Sequence, residues 1–292
     1  MAVQSHFFSV GSVVTWAEAG VGAVATQSVV EPAYGPRGLG LMRDGSSAPA
    51  ALHQLLADDP QEDSRQVAMI DRAGRAAVHT GTRCIAHAGH SVGDQVSAQA
   101  NIMASETVPG AMIRAYSDAS GEGLAERLLA ALEAAEGEGG DLRGRQSAAL
   151  VIVSARATGN PLEDTPVNLR VEDHRDPLGE LRRLVGMRRA YDRVDVGDQL
   201  AAAGDVEGAL EEYEAAHRAQ PGNAELGFWH GVALAANGRE AEATEVLRPA
   251  FAADSRWAEL LKRLPAAGLF PDDGELIARL IGTRAVSEPS AG

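Results

Sequence analysis

The feature that most restricts the fold of this chain is an internal repeat near its C-terminal end. Five small or apolar residues recur in the same order and at one constant spacing. The first set is Gly197, Leu200, Gly204, Ala209 and Ala216, and the second is Gly231, Leu234, Gly238, Ala243 and Ala250. Each set fits a helix, a turn at a glycine and a second helix. The pattern therefore predicts two similar helical hairpins in series.

The spacing between the two sets is the period of the tetratricopeptide repeat, whose unit is a pair of helices. Pro221 closes the first unit where that motif has a proline. We expect a tetratricopeptide-like, all-α domain over residues 186–285 and a frayed tail over residues 286–292. Two repeats are fewer than a free-standing solenoid needs. The function that such a domain predicts is binding of a protein partner in its groove.

Residues 1–185 have a different pattern, in which runs rich in valine, isoleucine and threonine alternate with helical segments. The predicted strands are residues 21–30, 65–71, 76–81, 94–103, 146–155 and 167–173. The predicted helices are residues 47–57, 108–116 and 123–135. Strands grouped in hairpins, with helices in pairs, favour an α+β domain over a doubly wound parallel sheet.

Charge and composition exclude several classes of function. The net charge of −15 repels a phosphate backbone, so we expect no nucleic-acid partner. Lys262 is the only lysine, which excludes a Walker phosphate loop or a pyridoxal Schiff base in the first domain. Cys84 is the only cysteine, which excludes an internal disulfide and a multi-thiolate zinc site. No cofactor and no metal site are predicted.

The sequence places fewer constraints on the cellular location, the substrate and the oligomeric state. The first residues lack the basic and apolar segments of a secretory signal, and no apolar run approaches the roughly 20 residues that span a bilayer. We therefore expect a cytoplasmic protein without membrane contact. An unknown small-molecule substrate and a homo-oligomer are both compatible with the sequence.

The segment from Gly89 to Gly93 has the spacing of the nucleophile elbow of a serine hydrolase, with Ser91 at its centre. Asp173 and His174 follow in the acid-before-histidine order that this site needs. The alternating residues after Ser91 instead predict a strand downstream and a tight connection at Ser91. A serine hydrolase is therefore the lesser alternative.

The loop at residues 139–147 combines three glycines with two arginines. Glycines expose backbone amides, and guanidinium groups match carboxylates or phosphates. The loop predicts either an anion-binding site or a structural turn in which Asp141 pairs with Arg143 or Arg145. Both interpretations remain open.

A set of dispersed segments, in order along the first domain, resembles the family called domain of unknown function 1028. The segments are AGVGAVATQ, YGPRGL, RQVAMID followed by GR and HTG, QAN, GGDLRGRQSAALVIV, and LRVEDH followed by DPLGELRRL. This family is grouped with the N-terminal-nucleophile hydrolases. The resemblance implies a four-layer αββα sandwich over residues 1–185 and hydrolysis of an amide-type bond in an unknown small substrate.

The resemblance, together with side-chain chemistry, also implies a set of site residues. Two are expected to be catalytic: His79 as an orienting group and Asn101 as an oxyanion donor. Gln27 is expected to be a polar donor to the substrate. The expected substrate-anchoring loop consists of Asp141, Arg143 and Arg145.

The nucleophile is the part of this family's site that cannot be carried over. In N-terminal-nucleophile enzymes the first residue is Thr, Ser or Cys, and its own amino group acts as the base. Family members begin with a strand that precedes the segment matching Met1 to Gly11, and removal of Met1 would expose Ala2. Either the true start lies upstream, or the strand is lost and the protein is a noncatalytic scaffold or binding protein. The upstream start is favoured, because a missing inner strand leaves backbone groups unpaired.

Overall fold

The computed structural model describes residues 1–282 and divides into two compact units, Met1–Val185 and a second unit that begins at Gly186. The tail predicted at residues 286–292 lies outside the described residues. Within residues 1–282, the strands all belong to the first unit, and the second unit is helical.

The strands form three antiparallel groups. Their bounds are β1 (Ala2–Ser5), β2 (Thr15–Glu18), β3 (Gly22–Ser28), β4 (Arg65–Asp71), β5 (Ala76–Thr80), β6 (Gly89–Gly93), β7 (Val96–Ala100), β8 (Ser147–Ile152) and β9 (Val167–Val171). One sheet has the order β2-β3-β4-β5, a second has the order β1-β8-β9, and β6 pairs with β7 in a hairpin.

Helices cover one side of the four-stranded sheet. The helices of the first unit are α1 (Tyr34–Arg43), α2 (Ala48–Ala57), α3 (Val108–Asp118), α4 (Leu124–Gly137), α5 (Pro161–Asp164) and the beginning of α6 (Pro177–Ala202). Val24 of β3 and Met69 of β4 pack in one buried cluster with Leu39 of α1 and Leu52 of α2. Ser47 accepts a hydrogen bond from the first turn of α2, which fixes where that helix begins.

The three-stranded sheet is apolar on both sides. On one side it packs against α4 and α6, where Leu129, Leu150 and Leu181 are fully buried. On the other side Val3 of β1 packs in a cluster with Ala25 of β3. The three-stranded and four-stranded sheets therefore contact each other through this second cluster.

The second unit continues with α7 (Val206–Ala219), α8 (Ala224–Ala236), α9 (Glu240–Ala253), α10 (Arg256–Arg263) and α11 (Gly274–Ile281). Its core centres on Phe228, whose ring centroid lies 5.1 Å from that of Trp229 and 5.0 Å from that of Trp257. Phe228 is completely buried.

Two glycines of the repeat sit where helices approach closely. A Cβ atom at Gly197 would lie 2.6 Å from the ring of Tyr213, and one at Gly231 would lie 2.5 Å from Leu247. The two glycines are one repeat period apart in the sequence, and so are their two partners. The sequence repeat therefore corresponds to a repeated packing contact.

The mixed α/β character of the first unit and the helical character of the region after it are confirmed. Each predicted strand contains an observed one, although β3 ends at Ser28 and does not continue to residue 30. Three strands were not predicted, namely β1, β2 and β6. Because β1 and β2 have four residues each, they are too short to show a clear alternation. The tight connection predicted at Ser91 is wrong, since this residue lies inside β6.

Candidate functional site

The first unit contains a cavity of about 190 Å³ beside β1. Its walls are β1, the ends of β3 and β7, helices α3 and α4, and the loop at residues 140–143. Half of the lining residues are valine, alanine or methionine, and a smaller number have polar side chains. The predicted site residues that line this cavity are Gln27, Asn101, Asp141 and Arg143.

A fully buried glutamine, Gln66 on β4, organises one polar wall. Its amide nitrogen has two hydrogens and lies within hydrogen-bond distance of three acceptors, which are Thr80 Oγ1 at 2.9 Å, the Gly89 carbonyl at 3.1 Å and the Ala100 carbonyl at 2.9 Å. With its nitrogen held there, its oxygen faces the other way and accepts from Gln27 Nε2 at 2.7 Å and from Asn101 Nδ2 at 2.9 Å. Gln66 thus fixes the orientation of two carboxamides that line the cavity.

This network determines which groups of Gln27 and Asn101 are left for a ligand. A carboxamide has two N–H donors and one oxygen acceptor. Each of the two side chains donates one N–H to the oxygen of Gln66. The oxygen and the second N–H of each remain, so this wall offers both donors and acceptors and carries no charge.

The backbone is strained next to both carboxamides. Ser28 has φ 69° and Ile102 has φ 61°, and both residues line the cavity. Left-handed backbone is uncommon outside glycine and is an outlier for a β-branched residue. Strain of this kind is concentrated at functional sites. The carbonyl of Ile102 is held by the Leu142 N–H at 2.9 Å, which ties the end of β7 to the loop that follows α4.

Asp141 and Arg143 form a closed ion pair on the cavity wall. Arg143 donates from Nε to Asp141 Oδ1 at 3.0 Å and from Nη2 to Oδ2 at 2.8 Å. The backbone N–H of Arg143 and that of His6 also donate to this carboxylate, at 2.9 and 3.2 Å. Burial alone would raise the pKa of Asp141, but the hydrogen bonds from Arg143 and His6 outweigh it and lower the pKa below its usual value. Of the two interpretations of this loop, the structure shows the turn in which Asp141 pairs with Arg143.

The structure does not bring His79 and Arg145 to this cavity. The Nε2 atom of His79 lies 2.8 Å from the carbonyl oxygen of Glu62 and 3.0 Å from its carboxylate. Arg145 pairs with Glu136 at 2.6 Å and lies 3.7 Å from Asp176. Arg145 is therefore held in another ion pair, and His79 contacts Glu62, within the first unit.

Among the described residues, the lining hydroxyl groups that have a hydrogen-bond partner donate to acceptors other than histidine. Ser5 Oγ lies 3.4 Å from Asp141, whose oxygens already accept from Arg143, and Thr15 Oγ1 donates to the Gly11 carbonyl at 2.8 Å. Within residues 1–282, no serine or threonine of the lining is hydrogen-bonded to a histidine. A hydroxyl–imidazole pair, Thr80 Oγ1 with His90 Nδ1 at 2.9 Å, lies outside the lining residues.

The serine-hydrolase alternative is wrong in its geometry. Strand β6 continues past Ser91 to Gly93, whereas a nucleophile elbow needs a sharp turn and then a helix. Asp173 accepts from Gln146 at 3.2 Å, and His174 is held by the backbone of Asp176, so neither orients Ser91.

Sequence reasoning missed two residues of the site. Gln66 interrupts a strand whose other residues are mostly buried, and a polar residue in such a strand is a signal for a buried hydrogen-bond network. Gln4 on β1 lines the cavity, and its amide nitrogen is buried without a hydrogen-bond partner among the described residues. No sequence signal marked Gln4, since β1 itself was not predicted.

Over residues 1–282 the side chains form no cluster of three or more histidine, cysteine or acidic groups placed to hold a metal ion. Across the same residues, every helix is too short or too polar to cross a membrane.

Residues 1–181 match the model of a family of unknown function, DUF1028. The chain also resembles the crystal structure of SPO2555, a DUF1028 protein from Silicibacter pomeroyi, with a TM-score of 0.56 and 31% sequence identity. That similarity covers 63% of this chain and 80% of the other. None of the curated proteins compared with the chain matches it.

Proposed function

Because the chain belongs to the DUF1028 family, we propose that its first unit is an amidohydrolase domain of the N-terminal-nucleophile type. In this proposal the two sheets are the inner layers of a four-layer αββα sandwich. Their contact through Val3 and Ala25, with α1 and α2 on one outer side and α4 and α6 on the other, supports that arrangement. The substrate occupies the cavity beside β1.

One observation carries the proposal. Gln27 and Asn101, fixed by the buried Gln66, present oriented donors and acceptors in the same cavity as the strained residues Ser28 and Ile102. Donors held in advance are what an amide hydrolase needs to stabilise charge on a reacting carbonyl oxygen. Buried polar groups and local strain at one cavity are more typical of a site than of a structural core.

The identity of the nucleophile is the part of the proposal that needs a direct test. An enzyme of this type attacks with the side chain of a first residue that is Thr, Ser or Cys. We would purify the protein from its own cells and determine its N-terminal residue by intact mass and terminal peptide sequencing. A chain that starts with Thr, Ser or Cys supports the proposal, and a chain that starts with Met1 or Ala2 refutes its catalytic part.

The second unit supports a separate proposal, a tetratricopeptide-like scaffold that recruits a protein partner. The observation behind it is the packing contact that recurs from Gly197–Tyr213 to Gly231–Leu247 with the period of that repeat. Cross-linking of the full chain in its own cells, followed by mass spectrometry, tests it. Cross-links from one defined partner to residues 186–282 support this role, and cross-links confined to the chain itself oppose it.

A further inference from the structure

Two small apolar clusters of the first unit border the cavity beside β1. One consists of Val10, Val14 and Ala25 with Met1, Val3 and Val13, and the other of Ala100, Val108 and Ala135 with Met103 and Met112. Every member of both clusters lines the cavity. The described residues therefore leave the space between the two clusters open.

Several of these side chains keep accessible apolar surface. The half-buried members of the lining are Met1, Val3, Val13, Val30, Ile102, Met103 and Met112. Apolar surface gains free energy when another apolar group removes it from water. We infer that the part of the ligand that enters this cavity is an uncharged apolar group, either an alkyl chain or a phenyl ring. The inference rests on the proposed function, and it makes the substrate an amide that carries such a group.

The volume of the cavity fits a group of this kind. The cavity has about 190 Å³, and an apolar cavity of about 150 Å³ in another protein is large enough to bind benzene. An α-helix with its side chains is about 10 Å wide, so a helix of a partner protein does not fit. The occupant is therefore a group of a small molecule.

The charged groups of the lining give a charged ligand group no partner at the apolar clusters. Asp141 and Arg143 are matched to each other through two parallel hydrogen bonds. The amino group of Met1 donates to the Val151 carbonyl at 2.7 Å, and burial lowers its pKa to about 6, so it is mostly neutral at pH 7.5. An ion placed against the apolar clusters would lose its water without gaining an opposite charge.

Methionine side chains let this cavity adapt to the shape of a ligand, because methionine is unbranched and flexible. Of the six methionines of the chain, Met1, Met103 and Met112 line the cavity. The other three lie elsewhere: Met42 and Met69 in the cluster of α1 and α2 with the four-stranded sheet, and Met187 on α6. The methionine methyl groups therefore report on the cavity and contain their own controls.

The test is an NMR titration of the full chain, labelled with ¹³C at the methionine methyl groups, at pH 7.5. The probes are the unbranched primary alcohols from 1-propanol to 1-octanol. We expect the signals of Met103 and Met112 to shift and those of Met42, Met69 and Met187 to stay. Affinity should rise about threefold to fourfold for each added methylene. The rise should stop near 1-hexanol, because the cavity has the volume of roughly six water molecules at about 30 Å³ each.

A charged probe of the same length provides the comparison. 5-Amino-1-pentanol has an ammonium group where 1-hexanol has its methyl group, so it should bind at least about tenfold more weakly. Equal affinity of these two probes would overturn the inference. Equal affinity along the alcohol series, or shifts confined to Met42, Met69 or Met187, would overturn it as well.

Variants show whether the open space itself binds the alcohol. Val3→Phe places a ring in the cavity, so 1-hexanol affinity should fall at least about tenfold while the melting temperature stays the same or rises. The matched control is Val92→Phe, at an exposed position on β6 outside the lining, which should bind 1-hexanol like the parent protein. Met112→Ala enlarges the cavity and should move the end of the affinity rise to a longer alcohol. Unchanged 1-hexanol binding in folded Val3→Phe, or an unchanged end of the rise in Met112→Ala, contradicts the inference.

The failure of this inference is distinguishable from the failure of the proposed function. The alcohols contain no bond to hydrolyse, so their binding does not require a nucleophile. Selective 1-hexanol binding by a protein whose native chain starts with Met1 or Ala2 supports the inference and refutes the catalytic proposal. Absence of binding, with Thr, Ser or Cys as the first native residue, refutes the inference and leaves the catalytic proposal standing.

Discussion

A buried histidine in the second unit makes its stability depend on pH. His230 on α8 is 6% exposed, and its Nδ1 atom is buried without a partner among the described residues. Its ring lies 5.8 Å from that of His217, at an edge-to-face angle. Burial, followed by smaller effects of His217 and Arg239, lowers the pKa of His230 to about 4, although Glu214 and Glu242 act in the opposite direction.

The direction of the pH effect on stability follows from the different proton binding of the folded and unfolded chains. An unfolded histidine has a pKa near 6.5, so below that pH the unfolded chain takes up a proton that the folded chain does not. Stability is complete above about pH 6.5 and falls as the pH decreases towards the folded pKa. The loss is about 2 kcal/mol at pH 5 and approaches about 3 kcal/mol at pH 4. Burial also lowers the pKa of His217, which adds a loss of the same sign.

Urea unfolding at pH 8, 7, 6 and 5 measures this loss. Fluorescence of Trp229 and Trp257 reports the core of the second unit, and a Trp16→Phe background removes the signal of the first unit. The His230→Leu variant should lose most of the decline between pH 7 and 5. His53→Gln, at an exposed position of α2, should keep it. A decline of equal size in His230→Leu, or no decline in the parent protein, would refute the reasoning.

Three other substitutions test contacts described above. Gln66→Glu replaces a buried donor with a carboxyl group that faces the Gly89 and Ala100 carbonyls, so the pKa of the new glutamate should be raised. The free energy of unfolding should therefore fall by at least about 3 kcal/mol as the pH rises from 4 to 8. Urea unfolding at several pH values measures this change. Asp141→Asn leaves Arg143 without its charged partner and should cost about 2 kcal/mol at pH 7, measured in the same way; an unchanged stability would mean that solvent replaces the pair. Gly231→Ala should lower the free energy of unfolding by about 1–3 kcal/mol, because the new Cβ would lie 2.5 Å from Leu247. The control is Gly40→Ala on α1, where no atom lies within 4 Å of the new Cβ. In thermal unfolding this control should be neutral or stabilising by up to about 1 kcal/mol.

The sequence predicted the parts of this fold that depend on local patterns. Runs such as Arg65–Asp71 show their strand character in their β-branched and apolar residues, and the helices of the repeat show theirs in its constant spacing. Strand β1 depends on a partner far along the chain, whereas β2 pairs with the adjacent β3 and was missed because it is short. Ala2 pairs with Leu150, a relation that no local window contains. Local patterns therefore found the longer elements and missed the short ones that close the sheets.

The candidate site was predictable only where side-chain direction did not matter. Thr80 is paired with Gln66 on the neighbouring strand and shares its face, whereas His79 is paired with Val67 and points to the other face. One position along the strand thus separates the cavity network from the contact with Glu62. Arg143 and Arg145 diverge because Gly144, with φ 104°, turns the chain between them.

The pairing of β1 with β8 has a consequence for synthesis on the ribosome. Ala2 leaves the ribosome long before its partner Leu150, and at about 5–20 residues per second the interval is about 7–30 seconds. During that time β2 to β5, whose pairings join neighbours in the chain, can already form their sheet. Strand β1 must wait, with its backbone groups exposed, until β8 arrives. Chaperones that bind short extended segments would therefore act on nascent chains of fewer than about 150 residues. The nascent chain should no longer need them once the three-stranded sheet has formed.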